Sequence, residues 1–385
     1  MNSVPRLRAA VTVVFALNGF MFGSLMARVP AIKADLGLSD GELGVALLCS
    51  SLGLVVSQPL AGAASARFGS RPVVAAGVCL YGGLLAMPAL APDLPWLVAA
   101  FAILGLGAGF LDVAMNAQGV QAEQRHERAI FSSFHAAFSF GAMAGAGVAG
   151  IAAELGVAPD AHLAIVGAAV IAAGLAAAAQ LLPAHADARA GGQLFARPTG
   201  ALIAFAAIGF CALLVEGSAS DWSAVLLAEW RDASEGVAAV GLAAFSAAMG
   251  TGRLAGDPLR ERFGPIRLMR MGAAAALAGT VVVVLPLPPA LTIAGFVVVG
   301  LGLSAIFPLA LLLAAATPGA APAPAIAAVS TTGYAGLLAG PAIIGGLAEL
   351  STLPAALCAT ALASAAIAAL AGVAGARSRA RVVGG

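Results

Sequence analysis

The sequence predicts an all-α membrane protein: twelve transmembrane helices in two six-helix, pseudo-symmetric halves. Three observations carry that prediction. The first is composition, since 61% of the 385 residues are hydrophobic, only 10% are charged and mean hydropathy is +1.00. An ordinary soluble domain carries about 25% charged residues. The second is spacing, because apolar runs of about twenty residues, the length that crosses a bilayer, recur from one end of the chain to the other. The third is an internal repeat at one fixed offset.

The first run begins at Ala9 behind MNSVPRLR. It reads as a span rather than a signal peptide, because it has bilayer length and no small-x-small cleavage site precedes a soluble domain. Runs bounded by charge, Pro or Gly clusters then place spans near 9–28, 42–64, 73–91, 96–117, 130–154, 162–182, 200–221, 237–258, 268–286, 290–313, 325–349 and 353–375. Each is taken as helical, since an α-helix pairs its own backbone groups in hydrocarbon. The prolines of TPGAAPAPA (317–325) separate the last two spans from the rest. The halves are 1–184 and 200–385, joined by a central loop, 185–199.

Orientation follows from basic residues in the loops. With a cytoplasmic N-terminus the inner side holds fifteen arginines: Arg6, Arg8, Arg67, Arg71, Arg125, Arg128, Arg189, Arg197, Arg260, Arg262, Arg267, Arg270, Arg377, Arg379 and Arg381. The outer side holds only Arg28, Lys33 and Arg231. Both termini are therefore expected in the cytoplasm.

A shift of 195 residues lays Arg67-Phe68-Gly69 on Arg262-Phe263-Gly264 and Phe101, Gly105 and Gly107 on Phe296, Gly300 and Gly302. The same shift lays Gly141, Gly145 and Gly150 on Gly336, Gly340 and Gly345, and Ala153-Glu154-Leu155 on Ala348-Glu349-Leu350. One offset serving a loop and two spans is hard to attribute to a Gly- and Ala-rich composition. Parallel six-helix repeats imply a site between the halves near the midplane.

The loop between spans 2 and 3, GAASARFGSR (62–71), and its echo GDPLRERFGPIR (256–267) resemble the signature of the major facilitator superfamily. Gly62, Arg67, Gly69 and Arg71 carry the first copy and Arg262, Gly264 and Arg267 the second. The superfamily's acid before Arg-x-Gly is Ala66 in the first copy and Glu261 in the second. ARVPAIKADLGLS (27–39), DVAMNAQG (112–119) and SSFHAAFSFG (132–141) resemble the MosC-like branch, bacterial inner-membrane proteins linked to rhizopine, an inositol-amine compound. The resemblance implies the major facilitator fold, a multi-pass protein of the bacterial inner membrane, and a small sugar- or cyclitol-like solute as partner.

Ionisable groups in a membrane are costly and face the bundle interior or a water-filled cavity, so they are the candidate site residues. Asp112 and Asn116, four apart, share one face of span 4. His135 on span 5 is expected at the depth of Asp112, as a hydrogen-bonded pair that either binds solute, couples protons or clasps the two helices. Glu216 is placed in the outer half of span 7, with Asp221 at the rim beside an interfacial Trp222. Arg28 is expected to form an outer gate with Asp221 or Glu216. Asn18, halfway along span 1, suits a hydroxylated ligand or one more inter-helix bond. Arg253 and Asp257, four apart on span 8, read as a gate-side pair. Gln58, Ser330, Thr331, Thr332 and Tyr334 are further polar candidates.

Other functions are disfavoured by what the chain contains. Its sole lysine, Lys33, lies in an outer loop, which leaves no GxxxxGK[ST] for ATP. A net charge of +1 gives no basic footprint for nucleic acid. The four cysteines lie scattered in apolar runs as small packing residues, no metal or nucleophile constellation appears among four histidines, and no cofactor is called for. GLGAG (105–109) and GLGLS (300–304) read as close helix packing. GLLAGPAIIGG (336–346) resembles the superfamily's antiporter motif but falls in span 11 rather than span 5, so it reads as a bend. The expected protein is a monomeric secondary transporter in the lipid bilayer, moving a small polar solute with proton coupling by alternating access; a proton-antiport exporter of drugs or metabolites and a non-transporting sensor are the rival readings.

Overall fold

The computed structural model describes residues 4–126, 130–183, 202–317 and 322–383, with side chains described up to 372 except at 322 and 323. The expected central loop, 185–199, and Arg128 lie outside them. Among the described residues there is no strand, and twelve helices are long and apolar enough to cross a membrane. They are span 1 (Val4–Leu36), span 2 (Asp40–Phe68), span 3 (Ser70–Leu90), span 4 (Leu94–His126), span 5 (Phe131–Glu154) and span 6 (Pro159–Ala178). The second half contributes span 7 (Ile203–Trp230), span 8 (Glu235–Phe263), span 9 (Pro265–Val284), span 10 (Pro289–Ala315), span 11 (Pro324–Leu350) and span 12 (Leu353–Gly372).

Several helices outrun their apolar stretches. Span 4 continues through Val120 to His126 and span 7 through Asp221 to Trp230. Hydropathy registers the hydrocarbon, whereas a helix ends only where backbone pairing ends. Span 2 begins with a capping box: Ser39 accepts from the Glu42 amide at 3.2 Å while Glu42 accepts from the Ser39 amide at 2.9 Å. Prolines set the interruptions. Span 1 breaks after Met26, four residues before Pro30, and span 10 breaks at Ser304, four residues before Pro308, because a proline ring denies its i−4 carbonyl a donor.

The two halves repeat one packing scheme. Span 1 packs on span 5 and span 2 on span 4; span 7 packs on span 11 and span 8 on span 10. Across the seam span 5 meets span 8 and span 2 meets span 11. Gly105 lies so close to the Ser50 carbonyl, and Gly300 to the Phe245 carbonyl, that neither site has room for a Cβ. Ser50 and Phe245 are themselves 195 residues apart. The two glycine runs are thus equivalent contact points of spans 2 with 4 and 8 with 10. Gly44 likewise abuts the Pro341 carbonyl, which puts the proline of GLLAGPAIIGG against span 2 as a packing element.

Polar clasps hold each half. Buried Gln118 donates to Ser70 Oγ at 2.7 Å and to the Leu182 carbonyl at 3.2 Å, and accepts from the Leu182 amide at 3.0 Å. One side chain thereby ties span 4 to the start of span 3 and the segment after span 6. In the second half buried Arg231 donates to the carbonyls of Val283 at 3.0 Å and Leu285 at 2.7 Å, closing the exposed carbonyl end of span 9. Cys49 and Cys211 are half-buried, but Cys79 and Cys358 are exposed, so the latter two are not packing residues.

The loop repeat is also conformational. Gly69 has φ 85° and ψ 155°, and Gly264 has φ 75° and ψ 157°; their amides donate to Ser65 and Arg260 carbonyls, each at 2.8 Å. Arg67 lies over the Phe68 ring at 5.3 Å and Arg262 over the Phe263 ring at 5.4 Å. Arg267 reaches the same Phe263 ring at 5.7 Å, while Gly62 borders open space and Arg71 is half-buried at the start of span 3. This backbone region is close to glycine-only, at a cost of about 1–3 kcal/mol for other residues. Gly69→Ala and Gly264→Ala should each lower thermal stability in detergent by about that amount and by similar degrees; unchanged melting temperatures would contradict the assignment.

Candidate solute-binding site

The ends of the spans define two faces. Arg6, Arg67, Arg71, Arg125, Arg260, Arg262 and Arg267 mark a basic face, and Asp40, Glu154, Glu229, Glu235 and Glu349 mark an acidic face. Between them, an ion pair of the second half meets a hydroxyl of the first half. Glu216 lies thirteen residues after Ile203 and fourteen before Trp230, at the middle of span 7 rather than in its outer half. Its Oε1 accepts from Arg253 Nη2 of span 8 at 2.8 Å. Arg253 Nη1 donates at 2.7 Å to the Ser139 hydroxyl of span 5, and the His135 carbonyl lies 3.5 Å away. One guanidinium is therefore shared by the two halves, with both its carboxylate and its hydroxyl partner half-buried or buried.

Asp112 lies near the middle of span 4. Asn116 Nδ2 donates to Asp112 Oδ1 at 3.1 Å and to its carbonyl at 2.8 Å, so the expected shared face is real and is closed on itself. Tyr334, about midway along span 11, lies in the fields of both Asp112 and Glu216. Tyr334 is 40% exposed, and its ring packs edge-on against Phe307 of span 10 with centroids 6.4 Å apart. An apolar groove between spans 1 and 5 is lined by Leu17, Phe20, Ala137, Phe140 and Ala144.

Four sequence expectations are corrected. Asp112 does not pair with His135: span 4 continues to His126, so Asp112 is fourteen residues from that helix end while His135 is only four residues into span 5. The His135 ring packs instead between Phe15 and Phe131, with centroids 5.3 and 5.1 Å away. Arg253 does not pair with Asp257, which is largely exposed and joins Arg260 at 3.4 Å. Arg28 does not reach Asp221 or Glu216; its partner is Glu235 of span 8 at 3.0 Å, and it also donates to the Val157 carbonyl. Asp221 lies nine residues inside the end of span 7, and neighbouring Trp222 is fully buried rather than interfacial. Asn18 is buried at mid-depth with its Nδ2 3.6 Å from Met115 Sδ, a contact between spans 1 and 4.

The acidic face carries the remaining charge pairs across the seam. Lys33 lies 2.6 Å from Asp40 of its own half and 2.6 Å from Glu229 of the other. It is buried, and the two carboxylates supply the partners that a buried charge requires. Sequence reasoning missed Ser139, Lys33 and Glu229 as partners. No spacing links residues of different helices, and only the repeat could have brought their helices together.

Comparison with known proteins agrees with this architecture. Residues 11–341 match the family model described as Major Facilitator Superfamily. An uncharacterised MFS-type transporter of Yersinia pestis is 36% identical over 356 residues, 90% of each chain. The uncharacterised transporter y4wD of Sinorhizobium fredii is 34% identical, covering 89% of this chain and 91% of that one. Membrane protein MosC of Rhizobium meliloti is 28% identical, covering 88% and 83%. Among solved structures, a bacterial homologue of the human lysosomal transporter Spinster, inward-facing and occupied, superposes with TM-score 0.76 at 15% identity over 95% of this chain and 96% of that one. The nucleoside transporter NupG, as a point mutant, gives TM-score 0.74 at 14% identity over 96% and 99%. With its sequence matched over most of its length and its twelve spans folded in the same way, the chain belongs to the Major Facilitator Superfamily of membrane transporters.

Proposed function

We propose that this transporter is a proton symporter that moves a small polar, sugar- or cyclitol-like solute by alternating access between halves 1–184 and 200–385. The observation that supports it most is the mid-depth contact of Glu216, Arg253 and Ser139, which places one charge on the seam between the halves. A guanidinium in a membrane needs partners, and those of Arg253 come from both halves. Rocking the halves apart removes Ser139. A solute hydroxyl offers Arg253 a replacement acceptor, and the Asp112–Asn116 face and the Tyr334 phenol add further polar groups on the opposite wall. A proton on Glu216 neutralises its side of the pair, which frees Arg253 for the solute. Binding of solute and proton are coupled because both act on one guanidinium.

The cross-half ion pairs at the acidic face, Arg28–Glu235 and Lys33–Glu229, close that side of the site. The arginine bias supports a cytoplasmic basic face, so in this reading the closed side is the outer one. The protein acts as a monomer in this reading, since each chain holds both halves of the site.

Two measurements test the reading. A thermal-shift screen over sugars, cyclitols and amines selects a probe, whose uptake is then followed in proteoliposomes. Glu216→Gln should abolish acceleration of uptake by an inward proton gradient while equilibrium exchange persists, and Arg253→Ala should lower uptake on the order of tenfold or more, as expected for a lost charged hydrogen bond. Unaltered pH dependence in Glu216→Gln, Asp112→Asn and His135→Ala together would end the proton role, and outward flux opposite to protons would replace uptake by export. For the outer closure, Arg28→Glu and Glu235→Arg should each impair transport and the double exchange should restore it; a double variant no better than either single one would exclude that pair.

A further inference from the structure

The repeat that lays Glu154 on Glu349 also lays Ser39-Asp40-Gly41 on Ser234-Glu235-Gly236. In the structure these four segments meet in pairs. Glu154, the last residue of span 5, accepts through Oε1 from the Gly236 amide at 3.1 Å and from the hydroxyl of Ser234, the N-cap of span 8. Glu349, next to last in span 11, accepts through Oε2 from the Gly41 amide at 3.0 Å, in the first turn of span 2 behind its N-cap Ser39. Each carboxylate thus sits on the start of a helix in the opposite half, and each arrangement is the 195-residue image of the other.

We propose that Glu154 and Glu349 are paired latches that hold the acidic face shut, each locking the fifth helix of one half to the second helix of the other. The first amides of a helix lack partners within it and carry the positive end of its dipole. A carboxylate from across the seam satisfies both needs without burying a charge, because both glutamates are exposed. Exposure makes the latches releasable: when the halves separate, water replaces the amides on one side and the carboxylates on the other. Glycine is what admits them. A Cβ at Gly41 would lie 3.0 Å from Glu349 Oε2, and one at Gly236 would overlap Glu154.

The pair differs in kind from the Arg28 and Lys33 contacts. Both cations belong to the first half, so those ion pairs have no counterpart under the repeat. The two carboxylate latches obey the pseudo-twofold relation, and a rigid rocking of one half against the other therefore breaks them together. Because each involves an end residue of its helix, neither needs a helix to bend before it releases.

This inference rests on the alternating-access reading, and the test separates the two. In a background with Cys49, Cys79, Cys211 and Cys358 replaced, a single cysteine at Ser220, half-buried ten residues inside the end of span 7, is labelled with a membrane-impermeant maleimide in right-side-out vesicles. Glu154→Gln and Glu349→Gln should each raise the labelling rate about two- to fivefold, the range expected for an exposed charge at a helix start, and the double variant should show the product of the two. Gly41→Ala and Gly236→Ala should act in the same direction with both carboxylates intact, which separates loss of the latch from a general effect of charge. Labelling that proceeds in the parent protein at a rate none of the four variants changes would overturn the latches alone. A rise with one member of each pair and not the other would overturn their equivalence. Absence of labelling from either side of the membrane, in parent and variants alike, would overturn alternating access and the latches with it.

Discussion

A positive charge held halfway across a membrane has to be answered from within the protein, and Arg253 is where that demand is greatest. Its guanidinium takes a carboxylate from span 7 and a hydroxyl from span 5, so the two halves are joined at the one level where lipid offers nothing polar. Neither partner alone would suffice. Removing one leaves a charge with unfilled donors, whose desolvation is costly. The arrangement of spans 5, 7 and 8 around the seam can be understood as the scaffold that this single side chain requires.

Much of the architecture was legible in the sequence because hydrocarbon is an unforgiving solvent. Twelve apolar runs, an arginine-rich face and a 195-residue repeat follow from chain-level regularities that do not depend on detailed packing. The candidate site was legible only as a set of residues, not as a set of bonds. Asp112, Asn116, Glu216 and Arg253 stood out because charges and amides are rare in spans. Their partners were misassigned wherever depth was measured from the edge of the apolar run, as with Asp112 and His135, since spans 4 and 7 remain helical for nine residues beyond it. Arg253 was matched to Asp257 by spacing along one helix, and the structure instead turns it towards two others.

The repeat was informative at a finer level than fold. It marks glycines that let helices touch, as at Gly105 and Gly300, and glycines whose backbone no other residue adopts easily, as at Gly69 and Gly264. Function breaks the symmetry. Asp112 falls on Phe307, Glu216 on Met21 and Arg253 on Gln58, so the central charges exist once each. A duplicated frame surrounds an unduplicated site, which is what a transporter needs when its halves move alike but its solute has no twofold symmetry.

Trp222 carries a consequence of a different kind. The protein has three tryptophans: Trp96 is 62% exposed, Trp230 is 40% exposed and Trp222 has no exposure at all, with its indole nitrogen unpartnered. Trp96 and Trp230 lie near helix ends, whereas Trp222 is enclosed beside Asp221 in the helix that supplies Glu216. An indole in such surroundings emits at shorter wavelength than one in water, and a quencher in the aqueous phase reaches it last. Span 7 therefore comes with a built-in optical probe, whose colour follows the hydration of the helix from within.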